Sequence, residues 1–160
     1  MIKFKDILQE EKILVPRHLE TRDEEYKRVI YQRIQNYIKK GSKGNLYLFR
    51  TSFTKLPDNL TKVGGNLYLY NSQIESLNNL QIVEGNLDLN YSKIKSLGNL
   101  QKVGENLYLY GTPLESLGNL RKVGVNLYLQ NTFFSEKYSK EEILQMVKDK
   151  GIEIRGKIHI

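Results

Sequence analysis

Cysteine is absent from all 160 residues, which removes disulfides and thiolate metal sites and suits a reducing compartment. Histidine is scarce: His18 and His159 are the two present, and they lie at opposite ends of the chain. No pair of carboxylates has a spacing that suggests general acid and base work. The glycines are not followed by Gly-Lys-Ser/Thr, so they do not form a phosphate loop. Long apolar runs are missing too, and none approaches the roughly 20 residues that a membrane span needs. Residues 1–15 are broken by Lys3, Lys5, Asp6, Glu10, Glu11 and Lys12, which leaves no signal-like apolar segment. The expectation is a non-enzyme with no cofactor and no metal, not membrane-bound, in a cytoplasmic setting.

Positive charge is in excess, +7 overall, but unevenly placed. Residues 1–43 carry 11 Lys or Arg against 7 Asp or Glu, residues 44–132 carry 8 against 6, and residues 133–160 carry 6 against 5. The excess sits in the N-terminal segment, where it favours an anionic partner or simply solubility.

What the chain has in abundance is repetition. Asn45-Leu46-Tyr47-Leu48 returns as Asn66-Leu67-Tyr68-Leu69, Asn86-Leu87-Asp88-Leu89, Asn106-Leu107-Tyr108-Leu109 and Asn126-Leu127-Tyr128-Leu129, at steps of 21, 20, 20 and 20 residues. Each pair of leucines one residue apart marks a short strand with both side chains on the buried face. A hydroxyl follows in every copy (Thr51, Ser72, Ser92, Thr112, Thr132), then an apolar residue (Phe53, Ile74, Ile94, Leu114, Phe134). Further leucines (Leu56, Leu77, Leu97, Leu117; Leu60, Leu80, Leu100, Leu120) and a valine (Val63, Val83, Val103, Val123) complete the unit. A fixed short period predicts a solenoid of stacked units.

Helices are predicted on both sides. Between Glu20 and Lys40 the residues Tyr26, Val29, Ile30, Ile34, Tyr37 and Ile38 recur at helical spacing, with Gly41 as a stop. Before it, Ile2, Phe4, Ile7 and Leu8 form a short amphipathic stretch that Pro16 interrupts. After Thr132 the period breaks, and Ser139-Lys140-Glu141-Glu142 is a capping-box pattern that opens a helix to Lys150. Gly156-Lys157-Ile158-His159-Ile160 then repeats the strand spacing as a sixth, terminal strand. The expected organisation is an N-terminal helical cap over 1–43, five repeats over 44–134, and a helix-and-strand cap over 135–160.

The unit resembles the leucine-rich repeat, matching its Leu-x-Leu core and final apolar position in all five copies. It departs in carrying Ser or Thr where most such repeats have Asn, and in lacking the first leucine. A buried hydroxyl can do the same job of satisfying backbone groups as the chain leaves the strand. About 20 residues per turn leave no room for a long helix on the convex side. Extended or 3₁₀ segments are expected there, with Asn59, Asn79, Asn99 and Asn119 bonding the turns. The fold class implied is an α/β repeat, a leucine-rich-repeat solenoid with helical caps. In its wording the chain is similar to leucine-rich-repeat proteins predicted in bacteriophages and metagenomes, over roughly residues 1–134. The resemblance implies a protein acting in the host cytoplasm, binding and blocking a host defence factor. The opening Met-Ile-Lys-Phe-Lys-Asp-Ile-Leu also resembles leader segments of phage proteins packaged into heads.

If the leucines face inward, alternate residues face out. One outward column is Tyr47, Tyr68, Asp88, Tyr108 and Tyr128, extended by His159; a second is Phe49, Tyr70, Asn90, Tyr110 and Gln130. Tyrosine gives rigid contact area with a polar tip and is enriched at binding hot spots, so the concave face reads as a docking surface for a protein. Cross-strand pairing of good strand residues accounts for the same columns, and the two roles are compatible. Asp88, Asn90 and Tyr91 break the pattern in the central copy, either for specificity or by repeat drift. Nucleic acid is the rival partner, since aromatic rungs hold single strands. The columns, however, contain no Lys or Arg beyond Lys157 nearby, and the basic residues Arg22, Lys27, Arg28, Arg33, Lys39 and Lys40 lie on the N-terminal helix.

Overall fold

The computed structural model describes residues 21–160. The amphipathic stretch before Pro16, the leader-like opening and His18 lie outside the described residues.

Helix α1 spans Arg22–Lys39 and begins at a capping box. The Glu24 N–H donates to Thr21 Oγ1 (3.3 Å), and the Thr21 N–H donates to Glu24 Oε2 (2.8 Å), which satisfies two of the free donors at the helix start. Beyond its other end Gly41 takes a left-handed φ of 84°, which ends the helix at little steric cost. The buried face is Ile30 and Ile34, with Tyr31, Tyr37 and Ile38 packed against the same core. The Tyr37 hydroxyl lies 2.8 Å from the Ser42 carbonyl oxygen and accepts from the Gly64 N–H at 3.1 Å, tying the helix to the first turn.

From Leu46 the chain winds as a parallel β-solenoid of about four turns. Strands β1 (Leu46–Tyr47), β3 (Leu67–Tyr68), β5 (Leu87–Asp88), β7 (Leu107–Tyr108), β9 (Leu127–Tyr128) and β11 (Ile158–His159) form one parallel sheet in that order. The register is in phase throughout, so Leu46 lies on Leu67, Leu87 on Leu107 and Ile158 on Leu127. Each named strand is two residues long, but backbone bonds between turns run on past it, from Leu46 N–H to Asn66 O through Leu48 N–H to Tyr68 O and Arg50 N–H to Tyr70 O, so its order comes from stacking on neighbours.

Of the two conformations expected opposite the leucine strands, the extended one is found. The valines belong to a second parallel sheet, built from β2 (Lys62–Val63), β4 (Ile82–Val83), β6 (Lys102–Val103), β8 (Lys122–Val123) and β10 (Glu153–Ile154). Extended bridges at Lys55–Ser76 and Ser96–Ser116 add further pairing, and no 3₁₀ segment occurs among the described residues. Turns of nearly equal length stack the extended segments of one turn on those of the next, so backbone pairing is available on more than one side. Leu67, Leu69, Ile74, Leu80 and Val83 are fully buried, and the same positions in the other turns join them in one apolar cluster. Each such side chain contributes about 1.5–3 kcal/mol by leaving water.

Polar side chains close the turns. Thr51, Ser72, Thr112 and Thr132 donate to the carbonyls of Leu48, Leu69, Leu109 and Leu129 at 2.9, 2.6, 2.8 and 2.8 Å. Ser92, in the central turn, is the exception, with no partner for its Oγ among the described residues. Asn79 and Asn99 donate to the carbonyls of Asp58 and Asn78 in the turns before them, as expected, whereas Asn59 pairs with Gln35 of α1.

In the last turn helices α2 (Phe133–Lys137) and α3 (Lys140–Asp149) replace the extended segments before the chain rejoins both sheets. Thr132 caps α2, and Ser139 with Glu142 forms the capping box of α3. Phe134, Ile143, Val147 and Ile152 join the core.

Candidate functional site

The six-stranded sheet displays both outward columns together. Its register puts Tyr47 on Tyr68, Tyr68 on Asp88, Asp88 on Tyr108, Tyr108 on Tyr128 and Tyr128 on His159. The rings stack nearly parallel: Tyr47 with Tyr68 at 5.0 Å, Phe49 with Tyr70 at 5.1 Å, Tyr108 with Tyr128 at 4.8 Å and Tyr128 with His159 at 4.4 Å. Such pairs contribute about 0.5–1.5 kcal/mol each beyond area burial. Gln130 ends the second column next to Tyr110, whose hydroxyl accepts from Asn131 Nδ2 at 2.6 Å.

An asparagine ladder fixes where these strands begin. Oδ1 of Asn45, Asn66, Asn86, Asn106 and Asn126 accepts the backbone N–H one turn on, from Asn66, Asn86, Asn106, Asn126 and Lys157, at 2.7–3.1 Å. The amide groups of Asn45, Asn66 and Asn126 also donate to the hydroxyls of Tyr47, Tyr68 and Tyr128 at 3.1, 3.1 and 3.3 Å. The ladder therefore holds the turns in register and steers the tyrosine tips. Sequence reasoning gave these residues no role, although their recurrence in all five copies was the available signal.

The central rung differs. Asp88 and Asn90 stand where the flanking turns carry rings, so the stacks form two blocks, one on each side. Asp88 Oδ1 accepts from the Asn90 N–H at 3.0 Å, and Asn90 Oδ1 accepts from the Tyr110 N–H at 2.8 Å. Burial pushes the Asp88 carboxyl above its ordinary pKa, and the Asn90 N–H opposes this in part. Burial, followed by the neighbouring Tyr128 and Asp88 groups, raises the Tyr108 phenol. Among the described residues no cation pairs with Asp88.

Tyr91 lies beside the columns rather than in them. Its φ is 56°, in the left-handed region where Asn71 and Gly111 sit in the neighbouring turns. A bulky residue there carries strain of about 1–2 kcal/mol. The residue is 58% exposed, and its ring meets that of Tyr110 edge-on at 5.3 Å. Gly111 admits it, since a Cβ at that position would come within 2.8 Å of the Tyr91 ring.

The column positions hold none of the cations, although Lys93 lies beside Tyr91. Those of the second sheet are paired with carboxylates, and Lys27 on α1 pairs with Asp23 at 2.9 Å. Among the described residues no group of three His, Cys, Asp or Glu could hold a metal, and no helix is long and apolar enough to cross a membrane. No family model matches the chain, and neither a curated protein nor a solved structure matches it.

Proposed function

We propose that the chain is a non-catalytic protein-binding module whose working surface is the tyrosine face. The turns are read as short leucine-rich repeats, with α1 and the α2–α3 segment covering the two ends of the stack, and the tyrosine sheet as their concave side. The observation that carries the reading is the pair of outward columns, in which stacked rings stand in register on a sheet with no cation at its column positions. Rigid rings with polar tips suit protein recognition, because little side-chain freedom is lost on contact. In keeping with the phage-type resemblance, the partner is a host protein in the cytoplasm of an infected bacterium, and the binding blocks it.

The test is capture from bacterial lysate with wild-type protein and with Tyr68→Ala, Tyr108→Ala and Tyr128→Ala combined, each checked for an intact fold by circular dichroism. Loss of the partner from the variant is the expected result; an unchanged catch removes the tyrosine face from the mechanism. The nucleic-acid reading rests on the same rings, and it requires oligonucleotide binding that falls steeply with added salt.

A further inference from the structure

The register leaves the Asp88 rung without a ring between those of Tyr68 and Tyr108. Adjacent strands are about 4.8 Å apart, so Tyr68 and Tyr108, two strands apart, face each other across about 9.6 Å. No ring contact is made across that gap among the described residues, whereas stacked rings on either side sit 5.0 and 4.8 Å apart. A flat group placed midway has about 4.8 Å to each wall, the spacing of one more rung. Asp88 is the floor. Its Oδ1 is held by the Asn90 N–H, and its Oδ2 has no donor among the described residues. A half-buried carboxylate without a cation favours a positive occupant, and aromatic faces within about 6 Å favour one too.

Planarity and positive charge together describe guanidinium, which stacks on aromatic faces and pairs with carboxylates; an ammonium supplies the charge without the plane. We propose that the Asp88 rung is a recognition slot for an arginine side chain of a protein partner, with its guanidinium between Tyr68 and Tyr108 and paired with Asp88. This rests on the tyrosine face being the docking surface, and it adds the residue type that the surface selects.

The experiment is an amide NMR titration of the full chain with three blocked tripeptides, Gly-Arg-Gly, Gly-Lys-Gly and Gly-citrulline-Gly, the last flat but uncharged. The arginine peptide is expected to shift the amides of Tyr68, Asp88 and Tyr108 saturably and to bind at least about fivefold more tightly than either other peptide. Asp88→Asn, nearly isosteric, should weaken it about tenfold. Asp88→Tyr, which fills the slot with a ring, should abolish the shifts while the remaining spectrum stays folded. Equal binding of the lysine or citrulline peptide, an unchanged affinity in Asp88→Asn, or no saturable shift overturns the proposal. So does an oligothymidylate that moves these amides when the arginine peptide does not. If the slot fails while the triple tyrosine variant still loses its lysate partner, the docking face stands without it. An unchanged catch by that variant removes the docking face itself.

Discussion

On the sheet of lysines and valines the outward charges meet opposite charges close by. Glu84 lies between Lys62 at 2.8 Å and Lys102 at 2.6 Å, Lys122 meets Glu153 at 2.9 Å, and Arg155 meets the same carboxylate at 3.0 Å. On the tyrosine sheet the outward positions are mostly rings, and the one carboxylate among them, Asp88, meets no cation among the described residues. Both sheets have the same parallel in-phase register and share one apolar cluster. What separates them is the chemistry of the side chains turned outward. One face satisfies its charges internally, while the other keeps flat aromatic area and one negative charge available for contact.

The largest expected effect tests whether the two faces share a core. Leu87→Ala, under the tyrosine sheet, should destabilise by about 3 kcal/mol, and Val83→Ala, under the other sheet of the same turn, by about 2 kcal/mol, in urea denaturation. A negligible cost at Val83 would show that the second sheet packs independently.

Next comes the asparagine ladder. Asn86→Ala deprives the Asn106 N–H of its acceptor and should cost about 1–2 kcal/mol, with faster hydrogen exchange at that amide. Protection unchanged at Asn106 would separate the ladder from the register of the tyrosine face.

Asp88→Tyr sharpens the contrast further. It extends the ring stack through the centre and should stabilise the fold by about 1 kcal/mol in thermal denaturation, at the expense of the arginine slot. A lower melting temperature would mean that a ring does not fit on that rung.

The smallest effects are in acid. The Glu84 carboxyl is drawn from 4.5 down to about 2, chiefly by its hydrogen bonds to Lys102 and Lys62. Its stabilising contribution is therefore present above pH 4.5 and is lost as the pH falls towards 2. Solvent exposure keeps the gain small. Asp88 has the opposite sign. Its raised value means that the folded state takes up the proton first, so its unfavourable contribution fades as the pH falls towards 3.8. Glu84→Gln should flatten the acid loss of stability, and Asp88→Asn should make no such change. An identical acid profile for both variants would erase the electrostatic difference between the two faces.

Periodicity along the chain was enough to place the leucine pairs inside, to put the tyrosines on the opposite side, to mark the hydroxyl that closes four of the five turns, and to find the helices Arg22–Lys39 and Lys140–Asp149 within a residue or two, but not the short helix Phe133–Lys137 before the second of them. These are local properties: side-chain alternation in a strand and apolar spacing in a helix do not depend on what packs above them. The tertiary structure alone decided the second sheet, the asparagine bracket, the left-handed Tyr91 beside Gly111 and the division of the rings into two blocks around Asp88. Each depends on a partner about 20 residues away in sequence and one turn away in space, as when Asn66 Oδ1 meets the Asn86 N–H. Which atoms face each other between turns is set by the register of the stack, and that register exists only once the chain has wound.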